Sequence, residues 1–128
     1  MSLRTPLSRV LNHGAAHDGV SHWWIERITA LALVPLSVWL IIALLRLPLA
    51  DHASVTAWIA AGLNPVFLGL FVLLACWHSH LGIQVVVEDY VHAPALKTAT
   101  LLLSSAVHLL LIAAGLYALL HIALRGAA

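Results

Sequence analysis

Residues 77–92 read WHSHLGIQVVVEDYVH, and the rest of the chain is read outward from them. The stretch begins inside a long apolar run and ends in the densest polar cluster of the protein. His78 and His80 stand at the apolar end; Glu88, Asp89 and Tyr90 stand at the polar end. No period-two alternation runs through it, so it reads as helix. At ~100° per residue, Gly82 lies about one turn from His78 on the same face. Asp89 returns to that face about 16 Å further along the axis, and His92 would fall near it if the helix continued. His80 lies about 200° round from His78 and points to the opposite side, so the two cannot chelate one ion through this helix.

The surroundings are hydrocarbon. Of 128 residues, 62% are hydrophobic and only 9% charged, and the mean hydropathy is +1.01. A soluble domain of this size needs more charge to cover its surface. The matching solvent is a bilayer, where every backbone group must be satisfied internally and apolar runs of this kind become helices. The net charge of +1 excludes nucleic acid as a partner class. A single cysteine, Cys76, leaves no internal disulfide and reads as a packed hydrophobe.

Three spans follow, at about residues 23–45, 65–88 and 94–122, each near the ~20 residues that cross the hydrocarbon core. The fold class is an all-α membrane protein, three transmembrane helices forming part of a larger anchor bundle. A polar tail, residues 1–21, precedes the anchor proper, residues 22–128. Gly14 and the Asp18-Gly19 pair predict loose structure in the tail, and His13 and His17 read as solvated. The tail has no apolar core, so it is not a cleavable signal. Trp23 and Trp24 open the first span at headgroup depth, and Pro35 predicts a kink or a packing contact near its middle. Between the first two spans, residues 51–62 predict a short interfacial helix carrying Trp58. Asn64-Pro65 predicts a helix start, with Asn as N-cap and Pro at the first helical position.

Three spans put the termini on opposite sides of the membrane. With the N-terminus inside, Arg4, Arg9, Arg27 and Lys97 face the cytoplasm, against Arg46 and Arg125 outside. That balance favours a cytoplasmic N-terminus and places Glu88, Asp89 and Tyr90 on the same side as Arg27.

An imidazole in mid-bilayer needs a partner. His78 is open to three readings: a hydrogen bond across a helix interface, a proton path, or an axial ligand to a porphyrin for which Gly82 leaves flat space. Gly is also common in membrane helices for packing. His80 reads as an interhelix hydrogen bond. His108, at comparable depth in the third span, reads first as a hydrogen-bonding group and second as a ligand, and His121 as interfacial. Tyr90 offers a phenol to a quinone carbonyl or anchors an aromatic belt. Asp89 orients that hydroxyl and carries protons, or is a solvated cap. Acidic groups at a helix C-terminus oppose its dipole, so Glu88 and Asp89 call for a cation or a functional reason, with Arg27 a candidate counter-ion.

His78, Gly82, Asp89 and Tyr90 at this spacing resemble the smaller hydrophobic membrane anchor of succinate dehydrogenase. The string HSHLGIQVVVEDYVH is similar to its alphaproteobacterial and mitochondrial form, and HWWIERITALALVPL, residues 22–36, to bacterial members. The resemblance covers most of the chain, although residues 46–62 carry nothing that matches. It implies a subunit that catalyses nothing alone. It implies His78 as an axial ligand of haem b, the other ligand coming from the sister anchor, with Gly82 packing against the haem. It implies Tyr90 at a ubiquinone carbonyl, Asp89 supporting that site, and Arg27 as a neighbour. The implied partners are a second membrane anchor of cytochrome b type, an iron–sulfur subunit and a flavoprotein subunit, in a bacterial inner membrane. Three other readings stand beside this one: a fumarate reductase anchor, a different membrane cytochrome b holding haem between His78 and His108, and a non-redox helical transporter or assembly protein.

Overall fold

The computed structural model describes residues 14–126, with side chains described for residues 20–125. Arg4, Arg9 and His13 lie outside the described residues, as does the side chain of His17. Four helices follow one another: α1 (Gly14–Arg46), α2 (His52–Ala60), α3 (Asn64–Tyr90) and α4 (Pro94–Gly126). Three are long and apolar enough to cross a membrane, over Val20–Arg46, Asn64–Tyr90 and Pro94–Arg125. No strand occurs among the described residues.

α1 begins at Gly14, so Asp18 and Gly19 lie inside a helix and not in the loose tail their types predict. Once a long apolar helix is nucleated, each added residue gains a backbone hydrogen bond, and propagation outruns the local turn preference. Pro35 lies within α1 without ending it.

α2 forms where the connector predicts a short helix. Asp51 is its N-cap, with its side chain accepting from the backbone N–H groups of Ala53 and Ser54 and from the Ser54 hydroxyl. These bonds, the Ser54 hydroxyl first and then its amide, hold the Asp51 carboxyl below the ordinary carboxylate range. Trp39 of α1 stacks on Trp58 of α2 at 5.7 Å and meets Phe67 of α3 edge-on at 5.3 Å.

Asn64 does not cap α3 with its side chain. Leu63 occupies the cap position without a side-chain hydrogen bond, and Pro65 sits in the first turn. Asn64 instead donates from Nδ2 to the Trp58 carbonyl at 2.7 Å. It thereby gives a second donor to a carbonyl at the end of α2 that also accepts from the Ala61 N–H at 3.2 Å. Gly62, with φ of +55°, makes the left-handed turn between the two helices.

α3 is the centre of the molecule. It packs against α1 on one side and α4 on the other, while the backbones of α1 and α4 do not approach each other. The α3–α4 seam is close. A Cβ on Gly115 would stand 3.0 Å from Val72 Cγ1, and one on Gly69 3.5 Å from Leu116 Cδ2. Small residues let two membrane helices approach in this way. Leu81, Val87 and Thr29 are buried, but no large side chain among the described residues is fully enclosed.

Candidate functional site

His78 faces α1. Its Nδ1 lies 3.0 Å from the hydroxyl of Thr29, a residue only 7% exposed. That hydroxyl also lies 2.9 Å from the Ile25 carbonyl and 3.0 Å from the Glu26 carbonyl. It has one proton, which these carbonyls compete to accept. With the proton committed to its own helix, Thr29 accepts from His78, and Nδ1 is the protonated ring nitrogen. Nε2 then carries a lone pair, and it has no hydrogen-bond partner among the described residues. A carbonyl- or hydroxyl-oriented imidazole with a free Nε2 is the arrangement metal-binding histidines use.

Gly82, one turn along, is only half-buried, and a Cβ built on it meets nothing within 4 Å. Gly69 and Gly115 serve the α3–α4 seam; no described residue stands within 4 Å of a Cβ on Gly82. The space beside His78 is therefore open to a group from outside. A further unsatisfied group lies on α1: His22 Nε2 is buried without a partner. Seven residues separate His22 from Thr29, nearly two turns, so the two share a face of α1 about 10 Å apart. His22, Glu26 and Thr29 form a stripe spaced i, i+4, i+7. The spacing was legible in the sequence. The significance of Thr29 was not, since its partner lies 49 positions away.

His80 points to α4, as the helical arithmetic requires. Its Nδ1 lies 3.3 Å from the Ser104 hydroxyl. His108 sits in the same seam: Nδ1 donates to the Ser104 carbonyl at 2.7 Å, and Nε2 then accepts from the Ser79 hydroxyl at 3.3 Å. The two rings are 5.3 Å apart. His108 thus takes the hydrogen-bonding role, on a side of α3 away from Thr29. No group of three metal-ligating side chains occurs among the described residues.

The polar end of α3 is open. Tyr90, its last residue, is 78% exposed. Neither the Tyr90 hydroxyl nor the Asp89 carboxylate has a partner among the described residues. Glu88 does: it accepts from Gln84 Nε2 at 2.8 Å. The cation at this helix end is Lys97, which donates to the Glu88 carbonyl at 3.0 Å and so offsets the terminal dipole. His92 does not extend the helical face. The helix ends at Tyr90, and His92 folds back with Nδ1 3.2 Å from the Tyr90 carbonyl. Arg27 sits with its guanidinium 5.5 Å from the Trp23 ring and forms no ion pair with Asp89 or Glu88 among the described residues.

The protein is thus a three-span helical membrane subunit with an oriented histidine at mid-depth and an unpartnered carboxylate–phenol pair at one mouth. Residues 1–118 match the succinate dehydrogenase/fumarate reductase transmembrane subunit family, and the chain belongs to it. Similar proteins include the succinate dehydrogenase hydrophobic membrane anchor subunit of Rickettsia bellii, 31% identical over 99 residues, covering 77% of this chain and 79% of that protein. The subunit of the same name from Rickettsia conorii is 30% identical, covering 78% and 80% respectively. That of Paracoccus denitrificans is 27% identical over 120 residues, covering 94% and 92%. No solved structure matches.

Proposed function

We propose that this chain is the smaller hydrophobic anchor of a succinate dehydrogenase, contributing a haem b ligand and part of a ubiquinone-reduction site. The observation that carries this reading is the state of His78. Its Nδ1 is held by Thr29, and its Nε2 is free beside the open face of Gly82. The residues fit a haem: His78 would bind its iron, Gly82 would let the ring approach, and buried His22 has an unused nitrogen on the same side. Haem b bound there would supply a one-electron redox centre. The second ligand comes from a sister anchor of cytochrome b type, because His108 is engaged in the α3–α4 seam.

At the other end of α3, Tyr90 donates a hydrogen bond to a ubiquinone carbonyl. Asp89 orients the site and passes protons. Reduction to the quinol takes two electrons and two protons; the electrons arrive from a flavoprotein through an iron–sulfur subunit, and the protons enter at this exposed mouth. Arg27 contributes positive charge on the same membrane side. Residues 22–128 are the anchor and residues 1–21 the tail, in a bacterial inner membrane with the N-terminus cytoplasmic, as the distribution of Lys and Arg favours. Whether the assembly runs as succinate oxidase or fumarate reductase is set by potentials in its other subunits.

Extraction in a mild detergent, followed by mass spectrometry and reduced-minus-oxidised spectra, tests this reading. A flavoprotein, an iron–sulfur protein, a second anchor and a b-type haem should accompany the chain. His78→Ala should abolish the haem band, while His108→Ala in an assembled complex should retain it. Isolation of the chain free of all four companions would refute the proposal.

A further inference from the structure

A cleft of about 570 Å³ lies at the membrane end opposite Tyr90, between α2 and the last turns of α4. His52, His121 and Arg125 line it together with Ala53, Thr56, Ala57 and Ile122. None of these residues belongs to the proposed haem or quinone site. His52 and His121 are 69 positions apart in sequence, and the packing of α2 on α4 brings them to one cleft.

Three polar side chains of this cleft, His52, His121 and Arg125, have no hydrogen-bond partner among the described residues, whereas the Thr56 hydroxyl donates to the His52 and Ala53 carbonyls. Arg125 forms no ion pair or hydrogen bond among the described residues. The ring nitrogens of His52 and His121 form no hydrogen bond among the described residues; His121 stacks on Tyr117, with centroids 5.9 Å apart. Asp51, the carboxylate next to His52, is already committed to Ser54 and Ala53 at the start of α2. Apart from Thr56, the remaining walls are aliphatic. A guanidinium and two imidazoles above an apolar wall at a membrane boundary fit an amphiphile with an anionic head. Arg recognises phosphate oxygens with its planar fork, and basic pockets between membrane helices hold phospholipid headgroups.

We propose that His52, His121 and Arg125 form a binding site for a phosphate-type anion, and that its occupant is the headgroup of an anionic phospholipid. The aliphatic walls of Ala53, Ala57 and Ile122 take the start of an acyl chain, which free phosphate lacks. The assignment does not depend on the haem or quinone roles proposed above, since it concerns the opposite membrane end.

Native mass spectrometry tests it on the delipidated, membrane-extracted assembly containing this chain, titrated with phosphatidylglycerol or with phosphatidylcholine. The wild type should prefer phosphatidylglycerol by about five- to thirtyfold, the scale of one or two surface cations. Arg125→Gln combined with His121→Gln should erase the preference, and Arg125→Lys should keep most of it. His52→Gln alone should weaken it, giving a second reading if the double variant fails to assemble. Competition by millimolar inorganic phosphate alone would support the anion chemistry and make free phosphate a second source. Absence of any preference in the wild type without such competition would overturn the site. So would an unaltered preference in the double variant of correct assembly mass.

Discussion

At the scale of single residues, the proposed haem role turns on which ring nitrogen of His78 is free. Thr29 decides this, since its hydroxyl proton is drawn to its own helix and its lone pair is left for Nδ1. Thr29→Val keeps the shape of the side chain and removes that acceptor. Outer-shell losses of this kind cost about 10–100-fold in metal affinity. The variant should therefore lose haem at lower detergent or chelator stress, with a shifted reduced spectrum, while Thr29→Ser should restore both. On the proposed quinone site, Tyr90→Phe removes one hydrogen bond to the quinone and leaves the ring. The expected effect is a rise of about three- to tenfold in the KM for a short-chain ubiquinone, with the haem band unchanged. An altered haem band would place Tyr90 in the packing of the bundle instead. His78, Gly82 and Asp89 were legible as a stripe because a helix face follows from spacing alone, and Tyr90 as part of the polar end of the same span. Thr29 and His22 were missed because their meaning depends on which face of α1 meets α3, a tertiary fact that no window of α1 contains.

At the scale of elements, the helices were legible and their boundaries less so. Tail, connector and spans differ sharply in polarity, which located the three apolar helices and the short α2. The start of α1 escaped because helix propagation overrode glycine and aspartate turn preferences. The Asn64 role escaped because an amide can cap the helix after it or close the one before it, and only the geometry of Gly62 chooses. The cap of α2 makes a pH prediction. The folded-state pKa of Asp51 is lowered, so its contribution to α2 is fully present above the ordinary carboxylate pKa. It is lost as pH falls through the depressed value. A carboxyl carbon-13 titration of Asp51 should give a midpoint below that of a model peptide; a midpoint at or above it would remove the cap from the account. The α3–α4 seam makes a second prediction. Gly115 lies where an added Cβ already presses on Val72, so Gly115→Leu should overpack the seam by about 1–3 kcal/mol. Thermal stability of the extracted assembly should fall, and the His80–His108 cluster should open to hydrogen exchange.

At the scale of the whole molecule, the arrangement is a row and not a closed bundle. α1 and α4 flank α3 without meeting each other, so α3 keeps two uncovered sides. Val86 and Trp77 mark them: nine positions apart, they lie about 180° round the helix. Their exposures are nearly equal, at 56% and 55%, so burial alone does not say which side is lipid and which is partner. Chemistry does. Gly82, Asp89 and Tyr90 fall toward the Val86 side, and Leu73 and Gln84 toward the Trp77 side. A porphyrin shared between two anchors requires the second anchor to stand on the Gly82 side. The Trp77 side, exposed and largely apolar, then faces acyl chains. Single cysteines at Val86 and Leu73, in a chain with Cys76 replaced by Ala, separate the two sides. In the intact assembly a membrane-soluble thiol reagent should label position 73 several times faster than position 86. In the chain expressed without partners the two rates should converge. Faster labelling at position 86 in the assembled complex would put the second anchor on the wrong side of α3. The open face of Gly82 beside His78 would then be left to lipid, and the shared-haem arrangement could not stand.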